Sequence, residues 1–307
     1  MPGAGAPRGG RCWYCGQAAL LDDDPLEHVL PAAIGGTLTT DKVCFACNQR
    51  ASREIDQPFV NEWPIVLARN EFQILDRRGN RPPRLPQRTT ATDGTRILID
   101  TWGGPWEARP LPEVTPTPTG LDVSAANHAE LDRIQADLER KVGRKGGKLT
   151  FGPRQTRQID NAFQASFNFS PTTWLRMTAK MALGCASLVW SENWLDSSSA
   201  QQTQQLLWDQ SGKEGTVPVQ PEAALVHLCS APEHLLFFMG QGQRTKFVAM
   251  IFGNEVVGLD LELHGEPHAQ TAWLMDGRGG GTNTLTMDAL MLRAGQNAGL
   301  IPRNLTP

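Results

Sequence analysis

Two Cys-x-x-Cys pairs, Cys12/Cys15 and Cys44/Cys47, constrain the fold of this 307-residue chain more than any other feature. Two residues between paired cysteines allow both sulfurs to face one tetrahedral metal ion. The alternative is a redox dithiol, but neither pair has a thioredoxin-like strand and helix pattern around it. We therefore predict a Zn²⁺ site with four thiolate ligands, which is structural because its coordination sphere is closed. Such a metal would stabilise a segment too small to fold without it.

Charge and hydropathy limit the class of protein. No run of about 18 apolar residues appears, and residues 1–11 contain no apolar stretch, so we expect neither a membrane span nor a secretory signal. We expect a cytoplasmic protein whose residues 1–10, rich in Gly, Pro and Ala, form a disordered tail. The net charge of -3 means that any nucleic-acid binding must come from local basic patches. The two remaining cysteines, Cys185 and Cys229, are expected to be buried apolar side chains.

The residues between and after the cysteine pairs form a joint pattern. It reads Glu27-His28-Val29-x-Pro31, then Gly35-Gly36, Val43-Cys44-x-x-Cys47-Asn48 and Glu54-Ile55-Asp56. Over residues 12–60, this pattern resembles the HNH endonuclease family in its zinc-knuckle form. The resemblance implies a ββα-metal fold, in which a β-hairpin carries the Glu-His pair and a helix carries the last motif residue.

Three residues of this pattern suit the hydrolysis of a phosphodiester. His28 can act as a general base because an imidazole titrates near neutral pH. Glu27 and Asn48 offer oxygen ligands for a hard cation, Mg²⁺ or Mn²⁺. Adjacent residues of a flat strand point to opposite faces, so the resemblance implies a distorted hairpin in which Glu27 reaches the metal. The plain alternatives are a surface or hydrogen-bonded acid-His pair and a helix-capping asparagine.

Several basic residues could contact the phosphates of a nucleic acid. Arg50 and Arg53 follow Asn48 on the presumed helix and are the nearest in sequence to the proposed chemistry. Two runs without acids, residues 77–92 and 140–157, could bind phosphate or simply be solvated loops. The first run contains Arg77, Arg78, Arg81, Arg84 and Arg88. Arg176 and Lys180, one helical turn apart, could form a salt-linked surface or a second binding face.

The rest of the chain has mixed helix and strand patterns. Strands are predicted at 64–68, 71–75 and 95–102, a linker at 110–122, helices at 125–142, 170–190 and 198–210, and an antiparallel meander at 234–240, 245–253 and 255–263. The predicted fold is therefore α+β. A tail of residues 1–10 precedes a small zinc-stapled ββα-metal nuclease domain at 11–60, and a larger α+β region with antiparallel strands at 61–307 recognises substrate, regulates or oligomerises.

The predicted function is that of a metal-dependent HNH endonuclease acting on DNA, in a restriction or defence setting. A non-catalytic zinc module that binds nucleic acid and an RNA-directed nuclease are the alternatives. A third possibility is an interaction protein whose C-terminal region assembles dimers or filaments and thereby switches the nuclease. The five histidines His128, His227, His234, His264 and His268 show no metal-ligand spacing and are expected to play no special role.

Overall fold

The computed structural model describes residues 7–17, 19–76, 78–82, 88–90, 94–100, 107–156, 169–209 and 227–302. The chain divides into two units, Met1–Pro83 with Asn168–Pro307, and Arg84–Phe167. The predicted boundary at residue 60 therefore runs inside the first unit. The functional division into a nuclease domain and a larger region remains a prediction.

The N-terminal residues form two short antiparallel pairs of strands. Strand β1 (Pro7–Arg11) pairs with β2 (Ala19–Leu21), so ordered structure begins inside the predicted tail of residues 1–10. Residues 1–6 lie outside the described residues. Strand β3 (Glu27–His28) then pairs with β4 (Thr39–Thr40).

A helix follows this hairpin, which confirms the predicted ββα order. Helix α1 (Phe45–Ala51) continues through a π-helical segment (Ser52–Asp56) into α2 (Gln57–Val60). Helix α3 (Trp63–Glu71) comes next.

The strands predicted at 64–68 and 71–75 are wrong, since α3 occupies the first range and ends at Glu71. Pro64 lies in the first turn of α3, where its missing N–H costs no helical hydrogen bond. The buried residues Ile65, Val66, Arg69 and Asn70 recur at helical spacing. The short apolar run was therefore one face of a helix.

The described residues of the second unit form two small antiparallel sheets and one helix. Strands β5 (Arg88–Thr90), β6 (Arg96–Asp100) and β7 (Glu107–Pro110) form one sheet, β8 (Glu113–Thr117) pairs with β9 (Gly120–Ser124), and α4 spans His128–Gly143. The predicted strand at 95–102 and the predicted helix are confirmed, although residues 101–102 lie outside the described residues. The linker predicted at 110–122 is wrong. An isolated pair of strands has only edges, and edge strands tolerate prolines such as Pro116.

Two predicted helices, α5 (Pro171–Val189) and α6 (Ser198–Trp208), belong to the first unit. Helix α5 begins where the Ser170 side chain accepts a hydrogen bond from the N–H of Thr173. Helix α6 has Ser197 in the same capping role, with the N–H of Ala200 as donor. Serine side chains at these positions satisfy N–H groups that the first helical turn leaves unpaired.

A five-stranded antiparallel sheet completes the first unit. The predicted meander is confirmed as β10 (Glu233–Gln241), β11 (Arg244–Ile251) and β12 (Glu255–Glu262). Strands β13 (Thr271–Asp276) and β14 (Thr282–Thr286) extend it in the order β12-β11-β10-β13-β14, and helix α7 (Met287–Asn297) follows. These last three elements were not predicted.

Alternate residues of β10 face two different hydrophobic cores. Leu236 and Phe238 belong to a large core with α5 and the cysteine-bearing segment, whereas Leu235 and Phe237 pack with Leu290 of α7. This alternation is the period of a strand buried on both faces. Among the described residues, no helix combines the length and hydrophobicity needed to cross a membrane.

Candidate active site

The four cysteines of the two pairs converge on one point. The sulfur atoms of Cys12, Cys15, Cys44 and Cys47 all lie within 4.8 Å of one another. Tetrahedral coordination at about 2.3 Å from a metal places sulfurs about 3.8 Å apart, so this cluster can hold a metal ion. The N–H of Cys44 donates to Cys12 Sγ over 3.4 Å, as expected of a metal-binding knuckle. The hydrogen bond with Cys15 is the main cause that raises the pKa of Cys12 to about 12.

Helix α6 and a neighbouring tryptophan hold the first knuckle from outside. Trp13 stacks on Trp194 with ring centroids 5.8 Å apart, and its carbonyl accepts a hydrogen bond from Gln204. The carbonyl of Tyr14 accepts one from the Trp208 indole N–H. The cysteine-bearing segment is therefore held in the first unit by contacts with residues that lie outside the segment.

The hairpin β3–β4 has a regular register. Glu27 pairs with Thr40 and His28 with Thr39, and the N–H of Val29 donates to Leu38 O over 2.9 Å. Consecutive side chains of such a strand point to opposite faces. The distortion that would bring Glu27 and His28 to one face is not observed.

His28 lies on the open side of the hairpin. It lines a groove of about 1320 Å³ together with Thr37 and Thr39 of the hairpin, residues 71–76 after α3, and the turn 277–279 between β13 and β14. Arg278 of that turn is exposed, and its backbone N–H donates to the carboxylate of Asp276 over 2.9 Å. The groove thus brings His28 together with a basic side chain from the far end of the chain.

Glu27 lies on the opposite, buried side. Its side chain is 4% exposed, and its Oε1 lies 2.8 Å from the ammonium of Lys180 on α5. The Tyr14 hydroxyl donates to the same oxygen over 3.4 Å. Burial acts to lower the pKa of Lys180, but Asp56 and Glu27 outweigh it and raise that pKa above its usual value. The ammonium is therefore charged. Burial raises the pKa of the Glu27 carboxyl and Lys180 opposes that rise, so the two groups form a buried charge-assisted pair.

Asn48 fastens α1 to the chain that leads into β3. Its Nδ2 donates to Pro25 O over 3.3 Å and to Leu26 O over 3.4 Å. Asp24 reinforces this junction, because its carboxylate accepts from the N–H of Phe45 over 2.8 Å and so caps α1. The structure therefore brings Asn48 beside the start of β3, while the carboxylate of Glu27 points into the interior.

The predicted phosphate-binding arginines differ in their surroundings. Arg50 pairs with Glu54 at 3.0 Å and lies over the Trp208 ring at 4.2 Å, whereas Arg53, which pairs with the same carboxylate at 3.3 Å, has a side chain that is 74% exposed. Arg78 and Arg81 are exposed. Arg77 and Arg84 lie outside the described residues, as does the side chain of Arg88.

The second basic run is partly neutralised by acids. Arg140 and Lys141 both pair with Asp137, and Arg154 pairs with Asp132. The proposed surface formed by Arg176 and Lys180 is wrong because both side chains are buried. Their polar groups satisfy interior acceptors. Arg176 Nε donates to Leu207 O over 3.0 Å, and Lys180 meets Glu27 and Asp56.

One histidine that seemed ordinary in the sequence supports the site. His234 of β10 is fully buried, with Nε2 2.7 Å from Ile34 O and with Nδ1 accepting from the N–H of Phe252 over 3.1 Å. Burial lowers its pKa to about 4. His234 therefore ties the loop between β3 and β4 to the sheet. A histidine opening an apolar run, "EHLLFF", is the one sequence signal that could have indicated it.

A comparison with known families agrees with this geometry. Residues 12–64 match the family model described as HNH endonuclease, which confirms the resemblance predicted for residues 12–60. Neither a curated protein nor a solved structure matches the chain. The match supports a nuclease-type function for this segment, with a metal requirement and a nucleic-acid substrate.

Proposed function

We propose that the chain is an HNH endonuclease that hydrolyses phosphodiester bonds of DNA, in a restriction or defence setting. The observation that carries this proposal is the position of His28. It lies on the β3–β4 hairpin, between the two cysteine pairs in sequence, and it lines an open groove. Residues 71–76 and Gly79 line this groove, and the exposed Arg78 lies within that stretch of the chain. A neutral imidazole there can take the proton of a water that attacks phosphorus.

Zn²⁺ is our proposal for the metal of the cysteine cluster. Four sulfur donors within 4.8 Å of one another suit Zn²⁺, which accepts soft thiolate ligands in tetrahedral geometry, and none of the six cysteines is in a disulfide bond. When bound, zinc contributes folding energy and leaves no open coordination position for chemistry. Free thiols also suit the cytoplasm, which is the location that we propose.

The proposed need for Mg²⁺ or Mn²⁺ rests on the family match, not on the ligands that the sequence suggested. Glu27 and Asn48 are not placed so that both could bind one Mg²⁺ or Mn²⁺ ion. Glu27 is buried against Lys180, so it cannot join the amide oxygen of Asn48 at one cation without leaving that contact. A hard cation would have to displace an ammonium to reach Glu27. No step of the reaction is therefore assigned to a cation held by these two residues.

The arginines have a supporting role in this proposal. Arg53, Arg78 and Arg81, all exposed, would neutralise phosphates and orient the strand, with Arg50 contributing where it is not paired with Glu54. Arg278 adds a fifth cation directly at the groove. Phosphate contacts of this kind position a substrate without reading its sequence.

A cleavage assay with a matched control tests the proposal. We expect wild-type protein to cut plasmid DNA with Mg²⁺ or Mn²⁺, and His28→Ala to lower the rate by about 10²- to 10⁴-fold, which is the usual contribution of a general base. His128→Ala removes an exposed histidine at the first position of α4 and should cleave like wild type. Full activity of His28→Ala would refute His28 as the base. If no preparation cuts DNA but the protein binds it, the non-catalytic module is favoured, and cleavage of RNA alone would replace DNA as the substrate.

A further inference from the structure

Lys180 makes three contacts, all with the segment that matches the HNH family. Its ammonium lies 2.8 Å from Glu27 Oε1 and 2.7 Å from Asp56 Oδ1, and it donates to the backbone carbonyl of His28 over 2.8 Å. The side chain is 0% exposed. A lysine ammonium has three donors, so each of them has an acceptor. Lys180 itself lies far outside residues 12–64, on α5.

The same face of α5 follows the hairpin along its length. Gly184, one turn beyond Lys180, lies against Val29, since a Cβ at that glycine would be 2.9 Å from Val29 Cγ2. Ser187, three residues further, shares a hydrogen bond of 2.8 Å with Thr40 of β4. The spacing of four and three residues is that of one helix face. The back of the β3–β4 hairpin is therefore supported by a helix that the family segment does not contain.

A hydrogen bond to the carbonyl of His28 fixes the backbone that carries the imidazole. Because strand neighbours face opposite ways, holding Glu27 inward and the His28 carbonyl in place directs the imidazole towards the groove. The charge of the Lys180 ammonium strengthens this hydrogen bond. The fully buried ammonium has two carboxylates as partners, and hydrogen bonds between charged groups are stronger than those between neutral ones.

The geometry points to Lys180 as a positioning residue for His28, with Glu27 as its counter-ion and not as a metal ligand. This inference rests on the proposed function, because it takes His28 to be the base. It reassigns Glu27, whose place in the motif had suggested a contact with the cation. It also makes α5 a component of the nuclease centre.

Binding of Mn²⁺ tests the reassignment of Glu27 without depending on activity. Electron paramagnetic resonance would follow free Mn²⁺ in titrations of wild type and Glu27→Gln, each loaded with zinc. The glutamine keeps the shape of the side chain and can still accept from Lys180. We expect the two Mn²⁺ affinities to agree within about threefold, compared with the loss of about 10-fold or more that is typical of a change near a metal. A loss of that size in Glu27→Gln would overturn the reassignment.

Steady-state kinetics test the role of Lys180. Lys180→Met alone leaves the buried Glu27 and the partly buried Asp56 without their cation and can unfold the protein. The decisive variant is therefore Lys180→Met/Glu27→Gln/Asp56→Asn, which removes all three charges together. Zinc content and melting temperature report whether it folds. We expect it to bind one zinc, with a kcat reduced about 10- to 100-fold and a KM within about threefold of wild type, as when positioning is lost but binding is kept.

Two results would separate the inference from the proposed function. A folded triple variant with the kcat of wild type overturns the positioning role, while an inactive His28→Ala leaves the nuclease proposal standing. An active His28→Ala instead removes the premise that both share. If the triple variant does not fold, Lys180→Met/Glu27→Gln takes its place, because it leaves only the Asp56 carboxylate, which is 17% exposed, without its partner. The same loss of kcat is expected, and a wild-type kcat in this variant would overturn the positioning role.

Discussion

Gly35→Ala would test whether the loop between β3 and β4 rests on the turn between β13 and β14. Gly35 has φ of 89°, and a Cβ built there would lie 2.2 Å from the carbonyl oxygen of Gly277. The positive φ costs an alanine about 1–2 kcal/mol. Because the opposing atom belongs to the backbone, overlap adds about 1–3 kcal/mol of overpacking. We therefore expect a loss of about 2–5 kcal/mol in the free energy of unfolding.

Gly279→Ala is the matched control. Gly279 lies in the facing turn and has the same φ of 89°, but a Cβ there would meet nothing within 4 Å. This variant should lose only the conformational part, about 1–2 kcal/mol. Urea unfolding followed by circular dichroism would measure both, and in thermal melts the difference should be about 2–12 °C for a unit of this size. Equal losses in the two variants would refute the contact between the loop and the turn.

Three further predictions concern titration, metal and phosphate binding. Burial lowers the pKa of His234 from 6.5 to about 4, so the unfolded chain takes up the proton first as the pH falls, and stability present above pH 6.5 is lost towards pH 4. Between pH 7 and pH 5, urea titrations should therefore show wild type losing about 2 kcal/mol more than His234→Gln, and parallel curves would contradict this. Cys47→Ser should bind less than one zinc per chain by mass spectrometry, whereas Cys185→Ser, which alters a buried thiol outside the cluster, should retain it. Arg53→Ala should reduce the slope of log K against log salt for duplex DNA by about 0.9, and an unchanged slope would mean that Arg53 contacts no phosphate.

The local parts of the candidate site were predictable because their signals are short in sequence. Each Cys-x-x-Cys pair fixes two sulfurs within one turn of chain, and Asn48 follows directly from the second pair. Helices α5 and α6 were predictable from spacing and serine caps. The ββα order followed from the family pattern.

The predictions that failed for the site depend on contacts between residues that are far apart in sequence. The buried pairing of Glu27 with Lys180 joins positions whose separate patterns suggested a metal ligand and a surface lysine. Hydropathy predicts that a lysine lies at the surface, and it gives no information on the two carboxylates, Glu27 and Asp56, that pair with Lys180 in the folded chain. The linker prediction at 110–122 failed for a different reason, since prolines that exclude an inner strand are compatible with an exposed hairpin.

The bond from His234 to the carbonyl of Ile34 spans 200 positions of the chain, and it has a consequence for biosynthesis. A ribosome adds about 5–20 residues per second, so His234 emerges about 10–40 s after the loop that it holds. The cysteine knuckles can take up their metal during that interval, but the loop beside His28 is not yet supported. On the proposed function, a nascent or prematurely terminated chain would carry its metal without a finished cutting centre. The cell that makes the enzyme would meet the active form only after the first strand of the C-terminal sheet has been translated.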